Sequence, residues 1–266
     1  MPKTPKTDYA ALDRPEVLAS LFHPRNEYGT RSPADSAADV LIPVGDDIAI
    51  GGRFHMASPE GVNILFFHGN GEIVADYDDL GSVYNRMGIN FLPVDYRGYG
   101  RSGGQPTVAA MMRDCRVILD FALGWLQDNR YSGPLILMGR SLGSASALEL
   151  ASCCPEKIGG LIIESGFAYA GPLLQLLGIN LASIGYNEEK SFGNVNKIKE
   201  FRKPVLIIHA EYDHIIPFSD GEALFDACPS SDKVFLKIPG ANHNDIFMRG
   251  MTAYLDAVKQ LTARLS

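Results

Sequence analysis

Short, uninterrupted apolar runs recur along the chain and predict buried strands. Residues 64–67, 135–138, 161–163 and 205–208 are apolar at every position. A strand covered on one face alternates apolar and polar residues, whereas continuous runs indicate strands that are covered on both faces. In all, seven strands are predicted, over residues 47–56, 63–67, 90–94, 134–138, 160–163, 204–209 and 233–238.

Between these runs, apolar residues recur at helical spacing. The clearest pattern covers residues 107–127, where Val108, Met111, Cys115 and Leu119 share one helix face. Further helices are predicted over residues 15–21, 76–87, 142–153, 218–227 and 245–265. Alternating strands and helices, with doubly covered strands, predict an α/β domain with a mostly parallel sheet between helical layers. Ligand sites in such sheets lie beyond the carboxyl ends of the strands.

Composition excludes some classes of protein. The 266 residues carry 24 Lys and Arg against 31 Asp and Glu, a net charge of −7, so nucleic acid is not expected as a partner. The most apolar late stretch, residues 172–185, is too short for a transmembrane segment. The four cysteines form neither a CxxC pair nor a zinc pattern, so we expect reduced thiols and a cytoplasmic location.

A serine follows the strand predicted at 134–138. Residues 139–143 read Gly-Arg-Ser-Leu-Gly and precede a helix, which is the context of a nucleophile elbow. The sharp turn exposes the hydroxyl of Ser141 at a helix N-terminus, where backbone N–H groups favour developing negative charge. An ordinary strand–helix turn capped by the serine is the alternative.

A base is needed because a serine hydroxyl is a poor nucleophile until its proton is removed. His243, in the loop after the last predicted strand, is the first candidate, since imidazole titrates near neutral pH. His209 and His214, at the end of the preceding strand, remain alternatives.

An acid would hold the imidazole in the useful tautomer and stabilise the imidazolium. Asp213, which follows the strand predicted at 204–209, is the first candidate. Glu211 in the same loop and Glu164 after the strand at 160–163 remain alternatives.

The loop after the strand at 63–67 reads His-Gly-Asn-Gly-Glu over residues 68–72. Such a loop can supply one backbone N–H to a developing oxyanion, and the residue after the nucleophile supplies the other. We therefore assign these donors to the backbone of Asn70 and Leu142. A glycine-rich turn without this role is the alternative, and a phosphate loop is disfavoured because the lysine of that motif is missing.

Taken in order, these motifs resemble the α/β-hydrolase superfamily. Within it, the chain is similar to a compact branch of small serine hydrolases that includes eukaryotic protein depalmitoylases and many bacterial esterases. The matching segments lie at residues 68–71, 95–102, 139–143, 213 and 240–245, within a match over about 46–266. The resemblance implies that Ser141, Asp213 and His243 form a catalytic triad with an oxyanion hole at Asn70 and Leu142. Membrane-bound depalmitoylases of this branch carry a Cys-rich N-terminal segment, whereas residues 1–39 contain no cysteine.

The resemblance also predicts the organisation of the chain. It implies an α/β-hydrolase fold with helices on both faces of a mostly parallel sheet and a short helical lid at residues 165–202. Residues 1–45 are expected to be an N-terminal arm that packs on the catalytic domain, residues 46–266. Leu173 and Leu177, in an apolar helical candidate at 172–181, are the candidate pocket residues. Simple core packing of this helix is the alternative.

Three functions follow from these residues. The first is a serine hydrolase that cleaves carboxylic esters or thioesters of a small-molecule or acyl substrate through an acyl-enzyme on Ser141, with no metal or organic cofactor. The second is a serine peptidase or aminopeptidase with the same three residues. The third is a non-catalytic binding protein, because a fold alone does not imply activity.

Overall fold

Eight strands form one sheet at the centre of the computed structural model, which describes residues 7–28 and 37–265. The order across the sheet is β1-β2-β4-β3-β5-β6-β7-β8. Strand β2 runs antiparallel to both of its neighbours, while β3 to β8 are parallel, as the sequence predicts. The strands are β1 (Ala37–Gly45), β2 (Ile48–His55), β3 (Asn63–Phe67), β4 (Asn90–Val94), β5 (Leu135–Arg140), β6 (Gly160–Glu164), β7 (Val205–Ala210) and β8 (Lys233–Ile238).

Helices cover both faces of the sheet. They are α1 (Pro15–Leu21), α2 (Asp78–Arg86), α3 (Val108–Asp128), α4 (Gly143–Cys153), α5 (Ala170–Leu176), α6 (Asn194–Ile198), α7 (Phe218–Ala227) and α8 (Ile246–Ala263). None of these helices is both long enough and apolar enough to cross a membrane.

Two separate hydrophobic cores explain the unbroken apolar runs. Leu65 and Phe67 of β3 enter the core that also contains α3 and α4. Ile64 and Phe66 of the same strand enter the opposite core, which α2 and α8 cover. Because successive side chains of a strand point to opposite faces, each position of the run is buried, and the prediction of doubly covered strands is confirmed.

The sheet begins earlier in the chain than the sequence analysis assigned. Residues 37–45, placed in the N-terminal arm, form β1 and pair with β2. Only one face of β1 is covered: Ile42 and Val44 are buried, whereas Leu41 and Pro43 are exposed. Pro43 is tolerated because β1 is an edge strand. The parts of the expected arm at residues 1–6 and 29–36 lie outside the described residues.

Helix α5 is shorter than the predicted helix at 172–181. It ends at Leu176 because Gly178 adopts a left-handed conformation with φ of +83°. The N–H of Ile179 donates to the carbonyl of Leu174 (2.9 Å) and that of Gly178 to Gln175 (3.0 Å), which is the Schellman arrangement. The turn directs the chain away from the helix axis and leaves Leu177 beside the end of α5.

Candidate active site

The turn between β5 and α4 holds Ser141 in a strained conformation. Its φ is +50°, a value that side-chain-bearing residues rarely adopt. The backbone N–H of Ser141 donates to the carbonyl of Glu164 at 2.8 Å, which fixes the turn against β6. A Cβ atom at Gly139 would lie 2.5 Å from the carbonyl oxygen of Gly143, so the tight turn requires glycine there.

His243 lies next to Ser141. Its Nε2 atom is 3.0 Å from Ser141 Oγ, and its Nδ1 atom is 2.7 Å from Asp213 Oδ2. A carboxylate accepts a hydrogen bond, so Nδ1 carries the proton and Nε2 is left to accept the serine hydroxyl proton. The loop between β8 and α8 positions this ring at the carboxyl edge of the sheet.

The side chain of Asp213 is fully buried and bonds to His243. Its second oxygen, Oδ1, accepts hydrogen bonds from the backbone N–H groups of Ile215 (3.0 Å) and Ile216 (2.8 Å). Burial alone would raise the pKa of Asp213, but His243 and the two N–H groups outweigh it and hold the pKa below its usual value. The carboxylate therefore stays ionised and can orient the imidazole.

The alternative bases have other environments. His209 is buried, and its Nε2 donates to the carbonyl of Ile216 at 2.9 Å, 3.6 Å from the carboxylate of Asp213. Burial lowers the pKa of His209, which favours a neutral ring that fixes the loop of Asp213. His214 is exposed.

The alternative acids bind other partners. Glu211 accepts hydrogen bonds from the N–H of Gly240 (2.9 Å) and from Lys237 (3.0 Å). Glu164 accepts from Arg140 and from Tyr254. Of the acids weighed in the sequence, Asp213 is the one that the structure brings to His243.

Asn70 and Leu142, whose backbone N–H groups are the predicted oxyanion donors, line the same cavity as Ser141. Within the described part of the chain neither N–H donates a hydrogen bond. The side chain of Asn70 is occupied: Oδ1 accepts from the backbone N–H of His23 (2.8 Å) and from Tyr99 Oη (2.7 Å). These bonds hold the loop in place beside the cavity.

A cavity of about 250 Å³ opens beside Ser141. Leu173 and Leu177, the pocket residues predicted from the sequence, both line it. Leu21 and His23 of the N-terminal segment line it as well. They were not predicted, because the local sequence pattern does not show where this segment packs on the domain. The remaining lining residues are Gly69, Asn70, Glu72, Leu142, Ile215, His243 and Asn244.

A serine in an elbow after β5, an acid after β7 and a histidine after β8 of this sheet define an α/β-hydrolase. The chain has the α/β-hydrolase fold, and its sequence is similar to members of the α/β-hydrolase superfamily. A family model described as serine aminopeptidase, S33, matches residues 58–184. This match includes Ser141 but ends before Asp213 and His243.

Curated relatives share about a third of their aligned residues with this chain. Human alpha/beta hydrolase domain-containing protein 17B is 32% identical over 212 residues, which cover 76% of this chain and 66% of the relative. Mouse alpha/beta hydrolase domain-containing protein 17C is 31% identical over 224 residues, which cover 80% of this chain and 64% of the relative. The chain thus spans just under two thirds of the length of these relatives.

Solved structures confirm the fold. An esterase of Pyrococcus furiosus aligns with a TM-score of 0.73 at 19% identity, covering 91% of this chain and 98% of the esterase. A monoglyceride lipase variant of Saccharomyces cerevisiae aligns with a TM-score of 0.69 at 19% identity, covering 90% and 98%. At this level of identity the likeness concerns the fold alone.

Proposed function

We propose that the protein is a serine hydrolase that cleaves carboxylic esters or thioesters through an acyl-enzyme on Ser141. The observation that carries this proposal is the continuous line of hydrogen bonds from Ser141 through His243 to Asp213, at the mouth of an apolar cavity. The names of the structural neighbours, an esterase and a monoglyceride lipase, support the same class of reaction.

The chemistry proceeds in two halves. Ser141 Oγ attacks the carbonyl carbon while His243 Nε2 takes the hydroxyl proton, and the new oxyanion accepts hydrogen bonds from the N–H groups of Asn70 and Leu142. His243 then gives its proton to the departing alcohol or thiol, which leaves an acyl-enzyme. His243 then takes a proton from a water molecule, which attacks the acyl carbon. It returns that proton to Ser141 Oγ as the bond to the acyl group breaks, which releases the acid and free Ser141.

The cavity favours an apolar acyl group. Leu21, Leu173, Leu177 and Ile215 supply apolar side chains around the nucleophile. Small-molecule pockets are mostly apolar, with a few polar groups that fix the reacting atoms. Ser141 and the His243 imidazole bonded to it are among the polar groups here, which fits a carbonyl held at one end of an apolar chain.

An aminopeptidase is the second candidate, because the matching family model carries that description. Such an enzyme needs an acidic group to bind the terminal ammonium of a peptide. Glu72 is the carboxylate among the cavity residues, and it already binds Arg140, Tyr77 and the N–H of Gly69. Because Glu72 already has these partners, it is poorly placed to bind an ammonium group, and an ester or thioester substrate is favoured.

Labelling with a fluorophosphonate probe tests the nucleophile. We expect the wild type to be labelled and Ser141→Ala to remain unlabelled, while Ser132→Ala, a change at an exposed turn, keeps full labelling. A parallel panel of nitrophenyl esters, acyl-thioesters and aminoacyl nitroanilides identifies the bond that is cleaved. Absence of labelling in the wild type would favour a non-catalytic binding protein, and preferential cleavage of nitroanilides would favour the aminopeptidase.

Serine substitutions at Leu173 and Leu177 test the acyl pocket. Losing apolar contacts worth about 1–3 kcal/mol should reduce kcat/KM for an octanoyl ester roughly tenfold or more. The value for the acetate ester should change little, because a short acyl group does not reach these side chains. Leu176→Ser, at a position of α5 that is 58% exposed, is the matched control. Equal losses for both esters would contradict a pocket role.

A further inference from the structure

Arg140 is a buried charged residue at the end of an otherwise apolar strand. It is the last residue of β5, directly before Ser141, and only 9% of it is exposed. Its guanidinium donates to acceptors on three different segments. Nε donates to Glu72 Oε1 (2.9 Å), Nη1 to the carboxylate of Glu164, and Nη2 to the backbone carbonyl of His243 (2.9 Å).

The bond to Glu72 connects Arg140 to the loop of Asn70. The second oxygen of Glu72 accepts from the backbone N–H of Gly69 (2.6 Å), the residue before Asn70, and from Tyr77 Oη. Burial would raise the pKa of Glu72, but the charge of Arg140 and the hydrogen bonds from Tyr77 and Arg140 lower it to about 2. Glu72 is therefore ionised at neutral pH, and it holds the loop to the guanidinium through charge-assisted bonds.

The bond to Glu164 connects Arg140 to the elbow. The backbone carbonyl of Glu164 accepts the N–H of Ser141 (2.8 Å), and its second carboxylate oxygen accepts from Tyr254 Oη of α8 (2.7 Å). The bond to the carbonyl of His243 acts on the backbone of the base itself. One guanidinium thus links the segments that carry the nucleophile, the base and one oxyanion donor.

We propose that Arg140 is a positioning residue that sets the distances among Ser141, His243 and the N–H of Asn70. The proposal rests on the hydrolase function proposed above. Stability alone does not account for the cluster, because buried ion pairs can often be replaced by apolar residues without loss of stability. A planar guanidinium offers five donors in a fixed fork, whereas a lysine ammonium is a point charge that cannot reproduce three directed bonds.

Kinetics of Arg140→Lys and Arg140→Ala test the proposal. We expect kcat per folded molecule to fall roughly 100-fold in both, because displacements of about 1 Å at reacting groups have effects of this size. KM should change little, since Arg140 is not among the residues that line the cavity. Millimolar guanidinium chloride should restore part of the kcat of Arg140→Ala but not of Arg140→Lys, in which the lysine occupies the space.

The matched control is Arg53, another buried arginine. Its guanidinium binds Asp39, Asp78 and Glu27, and none of these acids bonds to the three catalytic candidates. Arg53→Lys and Arg53→Ala should lower stability while kcat per folded molecule stays within twofold of the wild type, with or without guanidinium. The proposal is overturned if Arg140→Lys keeps the wild-type kcat, or if its loss of activity is fully explained by the fraction of unfolded protein. It is also overturned if guanidinium does not raise the kcat of Arg140→Ala.

Hydrogen exchange separates this proposal from the hydrolase function. If the wild type shows no Ser141-dependent hydrolysis, the proposed function fails, but the effect of Arg140 on the three segments can still be measured. We expect faster amide exchange at residues 69–72 and 240–245 in Arg140→Lys than in the wild type, and no such change in Arg53→Lys. Unchanged exchange at both segments would overturn the positioning role even if the enzyme is active.

Discussion

Replacing His243 with alanine should lower kcat for ester hydrolysis by roughly 10⁴- to 10⁶-fold. Without the imidazole 3.0 Å from Ser141 Oγ, no base removes the hydroxyl proton and no acid protonates the leaving group. Adding Ser141→Ala to His243→Ala should cost only a few-fold more, because residues that act as one unit have strongly non-additive effects. Single-turnover hydrolysis of a nitrophenyl ester measures both variants.

The activity that remains in the double variant measures how much the backbone N–H groups of the oxyanion hole contribute to the rate. The N–H groups of Asn70 and Leu142 are retained in it, so a small rate above that of water is expected. His214→Ala is the control, since this exposed histidine adjoins Asp213 in sequence but should leave kcat within about twofold of the wild type. Independent, multiplicative losses from Ser141→Ala and His243→Ala would contradict a shared mechanism.

The sequence predicts most strands of the sheet well but misses the first one, β1. Strands β3, β4 and β8 have the predicted bounds, because glycine, proline or charged residues flank their apolar runs. Strand β1 could not be recognised from a continuous run, because an edge strand with one covered face needs only Ile42 and Val44 to be buried. Its pairing with β2 depends on long-range contacts that the local pattern does not contain.

The approach of Ser141, Asp213 and His243 could be predicted from topology. In a parallel sheet the carboxyl ends of successive strands meet at one edge, so residues that follow β5, β7 and β8 share that edge. Their hydrogen bonds are observed, and their catalytic roles remain predictions.

Contacts made by loops without periodic pattern could not be predicted. His23 bonds to Asn70 across 47 positions of sequence, and Arg25 donates to the carbonyl of Gly71 at 2.7 Å. The position of Arg140 did carry a signal, because a charge that ends a buried apolar strand must find partners there. The sequence could not identify those partners, since Glu72 and Glu164 belong to other strand ends.

Substitution of Gly143 by alanine should disrupt the turn that carries Ser141, so that the protein loses both stability and hydrolytic activity. An added Cβ would lie 2.0 Å from the carbonyl oxygen of Phe67 and 2.7 Å from that of His68. Both atoms belong to backbone at the end of β3, so they cannot move aside as a flexible side chain could. We expect a loss of about 3 kcal/mol or more in the free energy of unfolding, at the upper end of the overpacking range.

Gly124→Ala should have the opposite effect on stability to Gly143→Ala. Gly124 lies inside α3, and apart from its chain neighbours and the backbone of its own helix, no described heavy atom is within 4 Å of an added Cβ. Alanine there should stabilise the protein by about 0.5–1 kcal/mol, because glycine is a poor helix former, and it should leave hydrolysis unchanged. Urea unfolding of both variants, with kcat measured per folded molecule, gives the comparison. A Gly143→Ala protein as stable and active as the wild type would show that α4 does not pack against β3 as closely as the structure requires.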